Sequence, residues 1–341
     1  MIHPFGIRDI FLVRSLQRVG ATLAIEQALT HPQAPLTLAL TAPWPWAGVG
    51  VATYVLDEGR AAGRLTGFAQ LLKRSARPEA DLLHVAPGLP AADDGAGATV
   101  AVIWRKLLAH CCQAVGGHGL QRIFASVPDG GPAASSLREA GFSLYTRETI
   151  YALAALPATD PLPAGFRRQG PQDSWALQRL YTRSTPRLVQ AAEGAVTGEV
   201  GSPPLSWWEP HRWQGAVWEP AGEVRGVVQI HVGRAGHWLR LWGANGLAAR
   251  EARSLVEQGL RLIAEATSIG ARGRLLPIYA TVRDYEIGVS GALTGLGFAP
   301  SLDRTRFVKH TVAQVREPIL SPLAALEARQ EVPVHSQSHR P

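Results

Sequence analysis

The sequence predicts two tandem α/β domains, and three observations carry that expectation. The chain has 341 residues, 46% of them hydrophobic, which exceeds one typical domain and supplies apolar side chains for two cores. The order hairpin, helix, strand, short helix, strand occurs twice along it. Local sequence repeats as well: IFASVPD aligns with IYATVRD, Gly141-Phe142 with Gly297-Phe298, and Thr149 with Thr305, at an offset of about 155 residues, a domain-sized period that argues for duplication and not for a solenoid. The expected division is 1–156, a linker over 157–165 with the proline and glycine content of PATDPLPAG, a second domain over 166–315, and a disordered tail over 316–341.

Within the first half, GRLTGFAQLLKR and DLLHVAP read as a hairpin. From Thr99 the apolar residues Val100, Ile103, Trp104, Leu107, Leu108, Cys111 and Val115 recur at helical spacing, and Gly116-Gly117 stops the run. RIFASVPD then reads as a strand, Ala133 to Ala140 as a short helix, and LYTRETIYAL as a closing strand. The second half repeats the order: VRGVVQIHVG and HWLRLW form the hairpin, and a helix presents Ala252, Leu255, Val256, Gly259, Leu262, Ile263, Ala266 and Ile269. LLPIYATVRD, a short helix and SLDRTRFVKH follow. Two segments fall outside this scheme. Ile7 to Thr30 reads as the opening helices of the first half, with no evident first strand, and Gly194 to Trp218 sets Trp207, Trp208, Trp213 and Trp218 among prolines, as a lid or as filler between the halves.

Composition narrows the function classes. No run of eighteen apolar residues occurs and Met1 to Asp9 lacks the features of a signal segment, so a soluble, cytoplasmic protein with no membrane partner is expected. Cys111 and Cys112 are adjacent in a helical pattern and diverge, and the histidines show no metal-ligand spacing, so no metal is expected. The net charge of +7 comes almost wholly from arginine, Lys73, Lys106 and Lys309 being the only lysines. The arginines are spread along the chain without forming a stripe, which does not favour nucleic acid as a partner.

A hairpin running into a helix, then strand, helix ended by Gly-Phe, and closing strand resembles the acyl-CoA N-acyltransferase (GNAT) fold, here twice, over Ile7 to Tyr151 and Phe166 to Val312. The resemblance implies a mixed, mostly antiparallel central sheet flanked by helices in each domain, and acetyl-CoA or another acyl-CoA as co-substrate. In that family the turn before the main helix reads Q/R-x-x-G-x-G/A and binds the coenzyme diphosphate on backbone N–H groups, which glycine lets approach closely and the helix dipole favours. The matching first-half window is Ala92 to Gly97, with Gly95, Ala96 and Gly97 as candidates but Asp93 and Asp94 beside them, acids that repel phosphate and equally suit helix capping. The second-half window, Gly243, Ala244, Asn245, Gly246, Leu247 and Ala248, carries no acid and has Arg250 in the first helical turn; with Leu241 and Trp242 ahead of it, it is the better coenzyme candidate.

The family's tyrosine that protonates the departing thiolate is replaced by Leu137 and Leu293. For catalysis the candidates are His84 on the first-half strand and Tyr285, with His237, Asp284 and Glu286 also near the place where the resemblance puts a general base. The resemblance thus implies acyl transfer to an amine of a small molecule or peptide, with the second half holding the coenzyme. The rival reading is a non-catalytic tandem module acting in protein interaction or regulation, which the two eroded loops and two missing tyrosines favour.

Overall fold

The computed structural model describes residues 1–46, 50–59, 64–74, 77–90, 96–157, 164–193, 213–268, 276–286 and 288–311. Most of the expected linker, Trp207 and Trp208 with the rest of 194–212, the loop residues 91–95, Ile269 and the tail 316–341 lie outside the described residues.

The first half runs β1 (Ile2–Pro4), α1 (Ile10–Leu16), β2 (Ala21–Thr22), α2 (Ile25–Thr30), α3 (Pro35–Thr41), β3 (Val51–Glu58), β4 (Leu65–Lys73), β5 (Glu79–Ala86), α4 (Ala96–Gly117), β6 (Arg122–Pro128), α5 (Pro132–Glu139) and β7 (Ser143–Leu153). The second runs β8 (Phe166–Arg168), α6 (Ser174–Ser184), α7 (Arg187–Glu193), β9 (Trp213–Trp218), β10 (Gly226–Val232), β11 (His237–Gly243), α8 (Ala249–Ser268), β12 (Ile278–Arg283), α9 (Val289–Thr294) and β13 (Ala299–His310). The first strand that the sequence hides is β1, three residues long and paired antiparallel with β3. The expected opening helices are interrupted by β2, whose two residues carry no readable periodicity.

The strands form one sheet in the order β1-β3-β4-β5-β6-β13-β7-β12-β11-β10-β9-β8. Among the described residues only β5 with β6 and β11 with β12 are parallel; every other pair is antiparallel. The order reads the same from both ends, so β1, β3, β4, β5 and β6 answer to β8, β9, β10, β11 and β12. The duplication seen in sequence is therefore a duplication of topology, and each half is the mixed, mostly antiparallel sheet with flanking helices of a tandem GNAT-like fold.

The closing strands are exchanged. β13, from the second half, pairs with β6 of the first, while β7 pairs with β12, and β7 and β13 pair with each other across the centre. Equivalent residues make equivalent bonds there: the Asp129 N–H donates to the Asp303 carbonyl and the Asp284 N–H to the Arg147 carbonyl, at 3.0 and 3.1 Å. The two expected sheets are thus joined edge to edge, and Met1–Thr311 form one compact unit.

Each long helix covers its own core. Ile103, Trp104, Leu107, Leu108, Cys111 and Val115 of α4 pack on Leu71, Leu82, Ile123 and Phe307, and the last of these comes from the exchanged strand. On α8, Ala252, Leu255, Val256, Leu260 and Ile263 pack on Val228, Leu239, Leu241, Ala280 and Phe298. The strand period of two sends the intervening side chains to the opposite face. Arg240 follows Leu239, Arg283 follows Val282, Asp81 follows Ala80 and Arg306 precedes Phe307, so that face carries charge where the helix face is apolar.

Candidate functional site

In both halves the parallel pair is short and the strands diverge beyond it. β5 and β6 pair only over Glu79–Asp81 with Arg122–Phe124, and β11 and β12 over His237–Arg240 with Ile278–Thr281. The two openings are then used differently.

In the first half the chain fills its own opening. β2 pairs with β5, Ala21 opposite Val85 and Thr22 opposite His84. The Leu23 N–H donates to the Leu83 carbonyl at 2.9 Å, and the Leu23 carbonyl accepts from Ser126 N–H at 3.1 Å, so this segment bridges the diverged strands. The Gly88 N–H donates to Val19 at 2.7 Å. The β5 edge that an extended ligand would use is taken. His84 lies beneath this segment: its ring stacks on Phe68 with centroids 5.5 Å apart, a Cβ at Gly20 would overlap its Nε2, and burial pushes its pKa down to about 4. The candidate base of the first half is therefore buried under the bridging segment. Of the first-half loop candidates, Gly95 lies outside the described residues, and Ala96 and Gly97 open α4.

In the second half a cavity of about 190 Å³ occupies the opening. Leu241, Trp242, Gly243, Ala244, Asn245, Gly246 and Leu247 line it from the β11 to α8 turn, and Tyr285, Glu286, Val289 and Ser184 close it. Seven of the coenzyme candidates and the candidate Tyr285 therefore meet at one place, although Ala248 and Arg250 do not line it. Gly246, at φ +80°, makes the turn. Leu247 folds back over Gly243, where a Cβ would overlap its side chain.

The helix start itself is partly engaged. The Ala244 N–H donates to the Arg225 carbonyl at 2.8 Å, and the Leu247 N–H to the Ala244 carbonyl at 3.3 Å. The Ala248 N–H donates to Glu251 Oε2 at 2.9 Å, and Glu251 also pairs with Arg225 at 3.2 Å. A carboxylate thus sits on an amide that a phosphate would seek, in the manner of a capping box. A second cavity of about 350 Å³ shares Ala244 and Asn245 and is lined by Arg179, Arg183 and Arg225 with Glu219 and Glu223.

Behind Tyr285 lies a buried ionic network. Arg283 Nη2 donates to Glu193 Oε1 at 2.6 Å, Tyr181 OH donates to Glu193 Oε2 at 2.6 Å, and Arg283 Nη1 donates to the Tyr285 oxygen at 2.8 Å. Burial pushes the Glu193 carboxyl up, but the charges of Arg283 and Arg240 outweigh it and hold the pKa at about 2. Burial raises Glu286 and Tyr285 above their ordinary values, against the pull of Arg283. Glu286 accepts the Arg283 N–H at 2.8 Å, which fixes its carboxylate at the cavity. Leu137 and Leu293 are fully buried in the two cores, so neither helix offers an acid in the tyrosine's place. His237 is buried, with its pKa pushed down by burial, and Asp284 is turned to β7, accepting from Thr146 Oγ1 at 2.9 Å.

Glu193, Tyr181 and Arg283 were not singled out by sequence reasoning, and nothing local marks a helical glutamate as the partner of a strand arginine ninety positions on. Arg240 did carry a signal. In HWLRLW the period of two puts Trp238, Arg240 and Trp242 on one face and the core leucines on the other.

Among the described residues no group of three or more His, Cys, Asp or Glu could hold a metal, and no helix is long and apolar enough to cross a membrane. No family model and no curated protein matches the sequence. Among solved structures the chain is similar to a tandem GNAT protein from the clavulanic acid biosynthesis pathway, at 14% identity and TM-score 0.49, covering 92% of this chain and 99% of that one. It is also similar to a GCN5-related N-acetyltransferase from Sphaerobacter thermophilus, at 13% identity and TM-score 0.49 over 92% and 96%. A GCN5-related N-acetyltransferase from Kribbella flavida follows at 12% and 0.44 over 71% and 86%. The tandem GNAT-like fold rests on the strand order given above, to which these scores add nothing.

Proposed function

We propose that the chain is an acyl-CoA-dependent N-acyltransferase in which only the second half takes the thioester. The observation that carries this reading is the contrast between the two openings: the first is bridged by Val19–Leu23, and the second holds a cavity beside the helix start. Leu241, Trp242, Ala252 and Val289 offer the pantetheine arm an apolar wall, and Arg183 and Arg225 supply positive charge next to the turn for the diphosphate. The coenzyme, when bound, would supply the activated acyl group. Glu286, held by the Arg283 N–H and raised by burial at the cavity, would take the proton of an attacking amine. Tyr285, kept protonated by burial, can donate one. The acceptor would be an amine, the working unit the whole 1–311 body, and the setting cytoplasmic; no nucleic acid or membrane enters.

One observation favours the rival, a non-catalytic module: the Glu251 carboxylate on the Ala248 N–H repels a diphosphate. Thermal unfolding with millimolar acetyl-CoA separates the two, because a ligand at about a hundred times its dissociation constant adds about 2.7 kcal/mol. Under the transferase reading the wild type is stabilised and Glu251→Gln more so. Silence from both leaves the non-catalytic module.

A further inference from the structure

On the face of the sheet opposite α8, Trp238, Arg240 and Trp242 project side by side from β11, with Arg283 beside them on β12. Arg240 is 1% exposed. Its Nε, Nη1 and Nη2, together with Trp238 Nε1, Trp242 Nε1 and Arg283 Nε, are buried and have no hydrogen-bond partner among the described residues. All six are donors, and the acids whose charges act on Arg240, Glu193, Glu286 and Glu26, make no hydrogen bond to it. Glu193 accepts from Arg283 and Tyr181, Glu286 from the Arg283 N–H, and Glu148 from Thr281 and Arg306. An arginine keeps its charge at any ordinary pH, so this guanidinium, with the Trp242 ring 4.6 Å from its Cζ, is a buried cation whose N–H groups meet no acceptor, although the charges of Glu193 and Glu286 act on it. By contrast Arg74, the buried arginine that follows β4 in the first half, is met by both oxygens of Asp81 at 2.7 Å and by Glu79 at 2.8 Å.

The row has a direction. Trp238 lines a central cavity of about 50 Å³ under α2, Trp242 lines the cavity between β11 and β12, and Arg240 stands between them. We propose that Arg240 is the anchor of a binding site for a small α-amino carboxylate: the carboxylate takes the guanidinium fork and the neighbouring indole N–H groups, and the amino group turns to the β11–β12 opening. A carboxylate has two oxygens and about four acceptor positions, which suits a row of donors. The direction of the amine rests on the proposed acyl transfer; the carboxylate site does not.

The test uses the full chain without acyl-CoA. The twenty free amino acids, each beside its carboxamide, are added at about 10 mM and unfolding is followed by heat. At least one free acid should raise the melting temperature by a few degrees while its amide does not, and calorimetry should show binding weakened at least about tenfold in Arg240→Gln. Arg240→Gln without ligand should melt no lower than the wild type, since it removes a charge whose burial without an acceptor outweighs the pull of Glu193 and Glu286. If no free acid stabilises the wild type, or if Arg240→Gln melts lower than it, the site is refuted. Stabilisation by an amino acid without any response to acetyl-CoA would keep the site and remove the transferase.

Discussion

Replacing Glu193 by Gln removes the counter-charge of Arg283 while keeping the side chain's size and its ability to accept a hydrogen bond. Both side chains are 1% exposed and 2.6 Å apart, and breaking a buried pair by losing one partner costs about 3–5 kcal/mol because the other charge stays behind. The upper part of that range applies here, because Arg240 lies on the same face and its repulsion of Arg283 would then lose the carboxylate that offsets it most. Glu193→Gln should therefore lower the unfolding free energy by about 4 kcal/mol in urea melts at neutral pH. Adding Arg283→Met should recover much of the loss, since the uncompensated cation goes with it. The pH profile carries the same physics. An acid held at about 2 when folded and 4.5 when unfolded contributes fully above 4.5 and loses its contribution as pH falls toward 2, so the wild type should shed stability over that range and Glu193→Gln should not. A loss below about 1 kcal/mol, or a double variant as unstable as the sum of the singles, would refute the reasoning.

Three further outcomes follow from the same structure. Glu26 has the opposite sign: burial raises its pKa from 4.5 to about 8 despite Arg240 and Arg306, so its contribution is full below 4.5 and is lost as pH rises toward 8, and Glu26→Gln should flatten that decline in melts at several pH values. Gly233→Ala should cost about 1–3 kcal/mol by urea melt, because its Cβ would lie 2.6 Å from the Thr30 carbonyl and overlap that of Gly236, both of them backbone. Residues 1–157 expressed alone should run as a dimer in light scattering, with β7 of each copy taking the place of β13 beside β6 of the other; a folded monomer would contradict the exchange.

Much of this architecture was legible. The repeat, the element order, the buried faces of α4 and α8 and the turn after HWLRLW are all readable as periodicity and glycine placement. The strand exchange was not, because β7 and β13 are equivalent in a duplicated chain and a strand's own pattern does not say which copy of its neighbour it joins. Nor was the closure of the first opening, since β2 has two residues and makes its case only through backbone bonds to Leu83 and Ser126. His84 looked like a base for the same reason: on its strand it is the one group that titrates near neutrality, and only the fold shows Gly20 lying over it. At the second opening the sequence located the turn and Tyr285 but missed Glu193, which enters from α7, an element unrelated in sequence to either strand.

Duplication leaves a protein with two copies of every feature, and the differences between the copies then isolate what each feature does. In the first copy the diverging strands are bridged by backbone bonds and the strand face is neutralised within itself, Arg74 by Asp81 and Glu79. There the Arg74 guanidinium finds its acceptors within the chain, although Arg122 Nε and Trp46 Nε1 are buried without one. The second copy has the same strands, the same divergence and the same helix, yet it leaves a cavity in the opening and a guanidinium without an acceptor beside it. Unmet buried donors cost about 1–3 kcal/mol each, and more when charged. In the first copy the unmet buried donors are single atoms, Arg122 Nε and Trp46 Nε1, whereas in the second all three guanidinium nitrogens of Arg240 are unmet between two indoles, and the proposed carboxylate site rests on that concentration of donors.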